Sequence, residues 1–215
     1  GGYSTTIPVT QAREPGSYSW EQRHQELLKT NKQASNNIAF FGNSITHYWG
    51  GIPAGPIKRG EASWAANFES LSVQNFGFGW DRIENALWRV YHDELDNFYG
   101  DQIILMLGTN NLGLSTDMEI IEGLKNLVQV IQSKKPDINV LLLGILPRRA
   151  QEARIVNLNK MIAQIGILSG ANYQDVGAVF LKDGKIDEAL FSDGLHPNNN
   201  GYLKLGKEIR KYLLK

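Results

Sequence analysis

The chain has 215 residues, 42% of them hydrophobic and 20% charged, with 22 basic and 22 acidic side chains in balance. That composition suits a globular fold with one sizeable core, excludes a disordered chain or a collagen-like or coiled-coil rod, and offers no basic excess to neutralise nucleic-acid phosphates. Cysteine is absent, which removes disulfides, thiolate-ligated zinc and a thiol nucleophile, and the apolar runs are far shorter than the roughly 18 residues of a membrane span.

Residues 1–18 mix Gly, Ser, Thr and Pro without apolar period and read as an extended arm with no chemistry, in which the Gly1-Gly2 pair is expected to be partly a cloning remnant. Ser19 with Gln22 forms the start signal of a helix running to about Lys32. Ile38 to Phe41 is a short continuous apolar run, as in a strand buried on both faces of a parallel sheet. Val73 to Phe76 predicts a second strand, and Ile83, Leu87, Val90 and Tyr91 recur at helical spacing after it. A third strand falls at Ile103 to Leu107. The Thr116/Glu119 capping box then opens a helix with Met118, Ile121, Leu124, Val128 and Ile131 inward. Val140 to Leu146 predicts a fourth strand, Ile155 to Leu168 a helix, Tyr173 to Val176 a fifth strand, and Pro197 the first residue of a last helix. Strand alternating with helix implies an α/β fold, a doubly wound parallel sheet in a single domain spanning residues 1–215.

Ligands in such a sheet bind beyond the carboxyl ends of the strands. The segments expected there are Gly42-Asn43-Ser44-Ile45-Thr46, Gly77-Phe78-Gly79-Trp80-Asp81, Gly108-Thr109-Asn110-Asn111 and, near the C-terminus, Ser192-Asp193-Gly194-Leu195-His196-Pro197. They bring a hydroxyl, a glycine N–H, a side-chain amide and a carboxylate with an imidazole, the parts of an acyl-transfer site. Singly, each has a plain structural reading: Ser44 as a helix cap, Asn110 as a turn former, Asp193-Gly194 as an ordinary turn. A dinucleotide fingerprint fails because Arg82 stands where the third glycine belongs. Among the histidines, His24 on an exposed-looking helix and His92 at a helix end read as structural. His47 lies three residues from Ser44 but lacks a nearby carboxylate, whereas His196 has Asp193 three positions earlier. The scattered histidines also argue against a catalytic metal.

The lipase-type elbow is not met, since Thr46 replaces its final glycine. Gly42-Asn43-Ser44, Gly77, Gly108-Thr109-Asn110 and Asp193-Gly194-Leu195-His196 together resemble the SGNH (GDSL-type) hydrolases, in their branch similar to platelet-activating-factor acetylhydrolase, over about residues 38–200. The resemblance implies a flavodoxin-like sheet of five parallel strands in the order 2-1-3-4-5. It implies Ser44 as nucleophile, His196 as base, Asp193 as its orienter, and an oxyanion hole from the N–H groups of Ser44 and Gly77 and the amide of Asn110. Neither metal nor organic cofactor is required by that chemistry. Two positions depart from the family pattern: Asn43 and Asn111 each stand where aspartate is usual.

For substrate, Tyr48, Trp49 and Trp80 follow the site segments closely and are expected to border its mouth. With Phe78 they would close the acyl side to long chains and offer a wall for a sugar ring. The expected activity is therefore hydrolysis of short-chain, acetyl esters of carbohydrates. A short-chain lipid or aryl esterase and an inactive carbohydrate-binding relative are the alternatives. Compartment and oligomeric state are not legible in the sequence, although a glycan substrate would point to secretion or the periplasm.

Overall fold

The computed structural model describes residues 3–214; Gly1, Gly2 and Lys215 lie outside the described residues. Five short strands form the sheet: β1 Ile38–Gly42, β2 Val73–Gly77, β3 Gln102–Met106, β4 Asn139–Leu143 and β5 Asn172–Gln174. All pairs are parallel, in the order β2-β1-β3-β4-β5, with Gly42 in register with Gly77 on one side and Met106 on the other. The strand that delivers Ser44 thus ends between the two strands that deliver the Phe78–Asp81 and Thr109–Asn111 segments.

Side chains alternate across a strand, and this sheet is covered on both faces. Phe41, Ile103, Leu105 and Leu142 pack into one core with Leu27, Leu87, Leu124 and Ile162. Phe40, Ile104, Leu141 and Leu143 pack into the other with Trp64, Tyr202, Leu205 and Ile209. The first layer comprises α1 (Trp20–Gln33), α4 (Ile83–Tyr91), α5 (Asp117–Lys134) and α6 (Glu152–Ser169); the second comprises α3 (Glu61–Asn67) and α7 (Asn199–Arg210). Each fully buried Phe or Leu contributes about 1.5–3 kcal/mol by leaving water.

Local signals act as their chemistry dictates. Ser19 accepts the N–H of Gln22, and Thr116 and Glu119 close a reciprocal capping box. Departures have identifiable causes. Met118 is exposed in the first turn of α5, and Ile120 is buried there. β4 stops at Leu143 because the Asn159 side chain takes over the ladder, accepting from Ile145 N–H and donating to its carbonyl. α7 begins two residues after Pro197: Asn198 accepts Gly201 N–H and is the cap, while Pro197 bridges back to Phe191. The short α3 and a two-residue hairpin, β6 (Leu181–Lys182) with β7 (Lys185–Ile186), have no periodic signal long enough to read. No helix among the described residues is long and apolar enough to cross a membrane.

Candidate functional site

Ser44 opens a single helical turn, α2 (Ser44–His47), directly after β1. The turn is seated on glycine: a Cβ on Gly42 would lie 2.0 Å from Thr46 Oγ1, and one on Gly77 would lie 2.3 Å from the His47 nitrogen. Asn43 caps it, its Oδ1 accepting Ile45 N–H at 3.0 Å. An amide oxygen performs that task as a carboxylate does, which is why asparagine serves at this position.

His196 arrives from the far end of the chain on a tight turn between β7 and α7. Asp193 Oδ1 accepts the backbone N–H groups of Leu195 (3.0 Å) and His196 (2.7 Å), folding the turn back on itself, while its Oδ2 lies 2.7 Å from His196 Nδ1. His196 Nε2 lies 2.7 Å from Ser44 Oγ. Because the carboxylate can only accept, it fixes the proton on Nδ1 and leaves Nε2 free to accept from the serine hydroxyl. Burial opposes the charge on Asp193, but the N–H donors and the imidazole outweigh it and hold the carboxyl down at about 2. Gly194 sits at φ 81° with the Arg149 guanidinium against it, and Arg149 N–H donates to the Gly194 carbonyl at 2.9 Å. Arg149, ion-paired with Glu188, gave no signal in the sequence, since only the folded turn brings it beside Asp193.

The N–H groups expected to serve an oxyanion are not all free. The N–H of Gly77 is already donated to Asn75 Oδ1 at 2.8 Å and lies under α2, so Gly77 is not available. Gly79 N–H is donated to His47 Nδ1 (2.9 Å), and Asp81 N–H to the Phe78 carbonyl (3.1 Å). Trp80 stands between them in the left-handed region, at φ 66°. Among the described residues none accepts the N–H of Trp80 or of Ser44. Asn110 donates one amide hydrogen to the Asp81 carbonyl at 2.9 Å, which ties its side chain to the same loop and leaves the other hydrogen for a ligand. The signal that would have pointed to Trp80 is a backbone angle, invisible in a sequence that puts a bulky residue there.

The remaining histidines are structural. His47 is buried, accepts Gly79 N–H, and is held neutral, its pKa depressed to about 2 by burial and then by Arg23 and Arg89. His24, expected to be exposed, is buried and lies 2.6 Å from Glu94, which also pairs with Arg89, itself bound to Asp81. His92 stacks on Trp88. Among the described residues no group of three or more His, Cys, Asp or Glu is placed to hold a metal ion.

Of the expected substrate-contacting rings, Trp49 is fully buried between Phe40, Trp64, Phe68 and Tyr202, because α2 ends by turning its side chain into the core. Tyr48 is buried against the His47 ring, and Phe78 lies under the Arg89 guanidinium. Only Trp80 is presented to solvent, 47% exposed. Asn111 accepts Ile83 N–H (3.0 Å) at the start of α4 and donates to Glu84 Oε1 (2.9 Å). The second hydrogen bond needs an amide, so asparagine is complemented here by Glu84.

The model of the GDSL-like Lipase/Acylhydrolase family matches residues 40–204, which include every site segment described above. The chain belongs to that family. It is an ester hydrolase, with the five-stranded 2-1-3-4-5 sheet shared by its structural neighbours. Among family relatives, the chain is 28% identical over 207 residues to platelet-activating factor acetylhydrolase IB subunit alpha2 of Gallus gallus, covering 93% of this chain and 85% of that one. A GDSL-like lipase from Bacteroides thetaiotaomicron superposes with a TM-score of 0.71 at 17% identity, over 87% of this chain and 95% of its own. A catalytic mutant of an acetylxylan esterase from Geobacillus stearothermophilus superposes with a TM-score of 0.65 at 19% identity, over 83% and 94%. At these identities the two structures speak for the fold.

Proposed function

We propose that this GDSL-family chain hydrolyses short-chain esters, acetyl esters above all, through an acyl-serine intermediate. The observation that carries the reading is the continuous hydrogen-bonded relay Ser44 Oγ to His196 Nε2 and His196 Nδ1 to Asp193 Oδ2, each link 2.7 Å. In this reading His196 takes the Ser44 proton as Oγ attacks the ester carbonyl, and the ionised Asp193 stabilises the imidazolium that forms. The N–H groups of Ser44 and Trp80 and the Asn110 amide receive the developing oxyanion. Collapse expels the alcohol, which takes the proton from His196. Water then attacks the acyl-serine with the same imidazole as base, releasing the acid and restoring Ser44.

Acyl length is read from the interior beneath the strand ends. A shallow recess of about 10 Å³ lies beside the Ser44 turn, where Asn43 and Ile45 meet Met106, Thr109 and Leu146, and an acetyl group is the acyl chain that asks least of such a wall. A concavity of about 790 Å³ lies behind the N-terminal arm and does not include Ser44. The exposed Trp80 ring, carried by the residue whose N–H is assigned to the oxyanion, offers a surface suited to the apolar face of a sugar on the alcohol side. We therefore assign carbohydrate O-acetyl esters as the first substrate class to test. A second reading, an acetylated lipid, is favoured by the relatives named platelet-activating factor acetylhydrolase.

The decisive experiment compares wild type with Ser44→Ala on p-nitrophenyl acetate, butyrate and octanoate, followed by acetate release from acetylated saccharides and acetylated phospholipids. Hydrolysis lost in Ser44→Ala, with kcat/KM falling from acetate to octanoate, is the expected result. Activity unchanged in Ser44→Ala would overturn the mechanism, and a maximum at octanoate would overturn the acyl assignment.

A further inference from the structure

The N-terminal arm ends on the loop that carries the Trp80 N–H. Tyr18 Oη donates to the Gly79 carbonyl at 2.6 Å, and Gln11 Nε2 donates to the same oxygen at 2.9 Å. Burial keeps the Tyr18 phenol protonated, and therefore a donor. Arg13 Nη1 donates to the Trp80 carbonyl at 2.8 Å and to Asn85 Oδ1 at 3.0 Å, and Glu14 accepts the Trp80 indole N–H. Arg13 N–H in turn donates to Gln11 Oε1 at 3.0 Å, so the donors form one connected unit.

A trans peptide is planar, and its carbonyl and N–H point in opposite directions. The Gly79 carbonyl and the Trp80 N–H belong to one such plane. Two donors from the arm on the carbonyl therefore turn the N–H away from the arm. The next peptide is fixed as well, its carbonyl by Arg13 and its N–H by the Phe78 carbonyl. With both planes held, Trp80 is kept at φ 66°, where a residue bearing a large side chain is disfavoured and glycine would rest at no steric cost. Strain that persists because surrounding structure over-determines it is a recurring property of working sites.

We infer that the arm is a positioning device for the oxyanion hole, in which Gln11, Arg13 and Tyr18 act through the backbone of Trp80 without touching substrate. The inference deepens the esterase reading and rests on it. It assigns chemistry to a segment whose composition suggested none.

The test uses the full chain with Arg13→Ala and with the double variant Gln11→Ala/Tyr18→Phe. Kinetics on p-nitrophenyl acetate should show kcat lowered on the order of ten- to a hundredfold, short of losing an oxyanion donor outright, with KM nearly unchanged. Affinity for a boronic acid that adds to Ser44 should fall by a similar factor, since its tetrahedral oxygen uses the same donors. In a Trp80→Gly background, Arg13→Ala should cost less than in the parent. A lowered Tm with kcat and boronate affinity unchanged would make the arm merely structural and overturn the inference. The Trp80 amide resonance provides a readout independent of turnover: broadened or split in the double variant it supports the inference, unaltered it opposes it. Absence of Ser44-dependent hydrolysis in wild type would instead count against the esterase reading, with the resonance still deciding the arm.

Discussion

Tyr202 Oη donates to the Ile45 carbonyl at 2.7 Å from a fully buried position. The bond ties α7, which follows His196, to α2, which begins with Ser44, so it helps set the distance between hydroxyl and imidazole. Tyr202→Phe keeps the ring and removes the tether. It is expected to cost about 1–3 kcal/mol in urea unfolding, by leaving a buried carbonyl without its donor, and to lower kcat several-fold. An unchanged kcat would show that the relay geometry is held elsewhere.

Asp193→Asn should leave the turn folded, since an amide oxygen still accepts from Leu195 and His196 N–H. It should nevertheless reduce kcat by roughly 10³–10⁴, because the amide no longer fixes the Nδ1–H tautomer or stabilises an imidazolium. Circular dichroism and steady-state kinetics on one preparation check both halves.

Asn110→Ala is expected to reduce kcat by roughly 10²–10³ with little change in KM, the pattern of a group that acts in the transition state. Asn110→Asp should be worse, because an ionised carboxylate donates nothing and opposes the oxyanion. Gly77→Ala should fail differently. Its methyl meets the His47 backbone nitrogen, so yield and Tm fall before any specific kinetic effect is seen.

The two asparagines at the family's aspartate positions should respond differently to replacement by aspartate. Asn43→Asp retains the oxygen that caps α2 and should change Tm little. Asn111→Asp exchanges a hydrogen bond to Glu84 for two facing carboxylates and should lower stability by about 1 kcal/mol at neutral pH. Thermal unfolding of the pair decides this.

His47 couples stability to pH. Its folded-state pKa is depressed to about 2 from an ordinary 6.5, so below 6.5 the unfolded chain binds a proton that the native state refuses. Stability should therefore fall as pH falls through the 6.5-to-2 window, by about 1 kcal/mol per pH unit once the unfolded histidine is protonated. Urea midpoints between pH 6.5 and 5, above most carboxylate titrations, should show the slope in wild type and a flatter one in His47→Gln.

Much of this was legible because the apolar runs and capping boxes act locally. The strand cores at Phe40, Phe76 and Leu142, and the Thr116/Glu119 box, need no distant partner to declare themselves. Ser44, Asp193 and His196 were legible because hydroxyl, carboxylate and imidazole have few uses together beyond strand ends. What escaped depends on backbone direction. Gly77 and Trp80 differ in which N–H is free, and that is decided by Asn75 and by the arm. The aromatic residues misled for a related reason: Trp49 and Trp80 each follow a site segment closely, yet one ring turns inward and the other outward. Gln11, Arg13 and Tyr18 have ordinary side chains in an aperiodic stretch, and only the folded contact shows what they hold.

The strand order has a consequence for synthesis. β1 lies inside the sheet, and Ser44 leaves the ribosome 152 residues before His196. A nascent or prematurely terminated chain therefore carries an ordinary serine hydroxyl, with no base to activate it. Under the proposed mechanism, reactivity toward esters waits for the Asp193–His196 turn, so a product truncated before residue 193 is expected to be chemically silent.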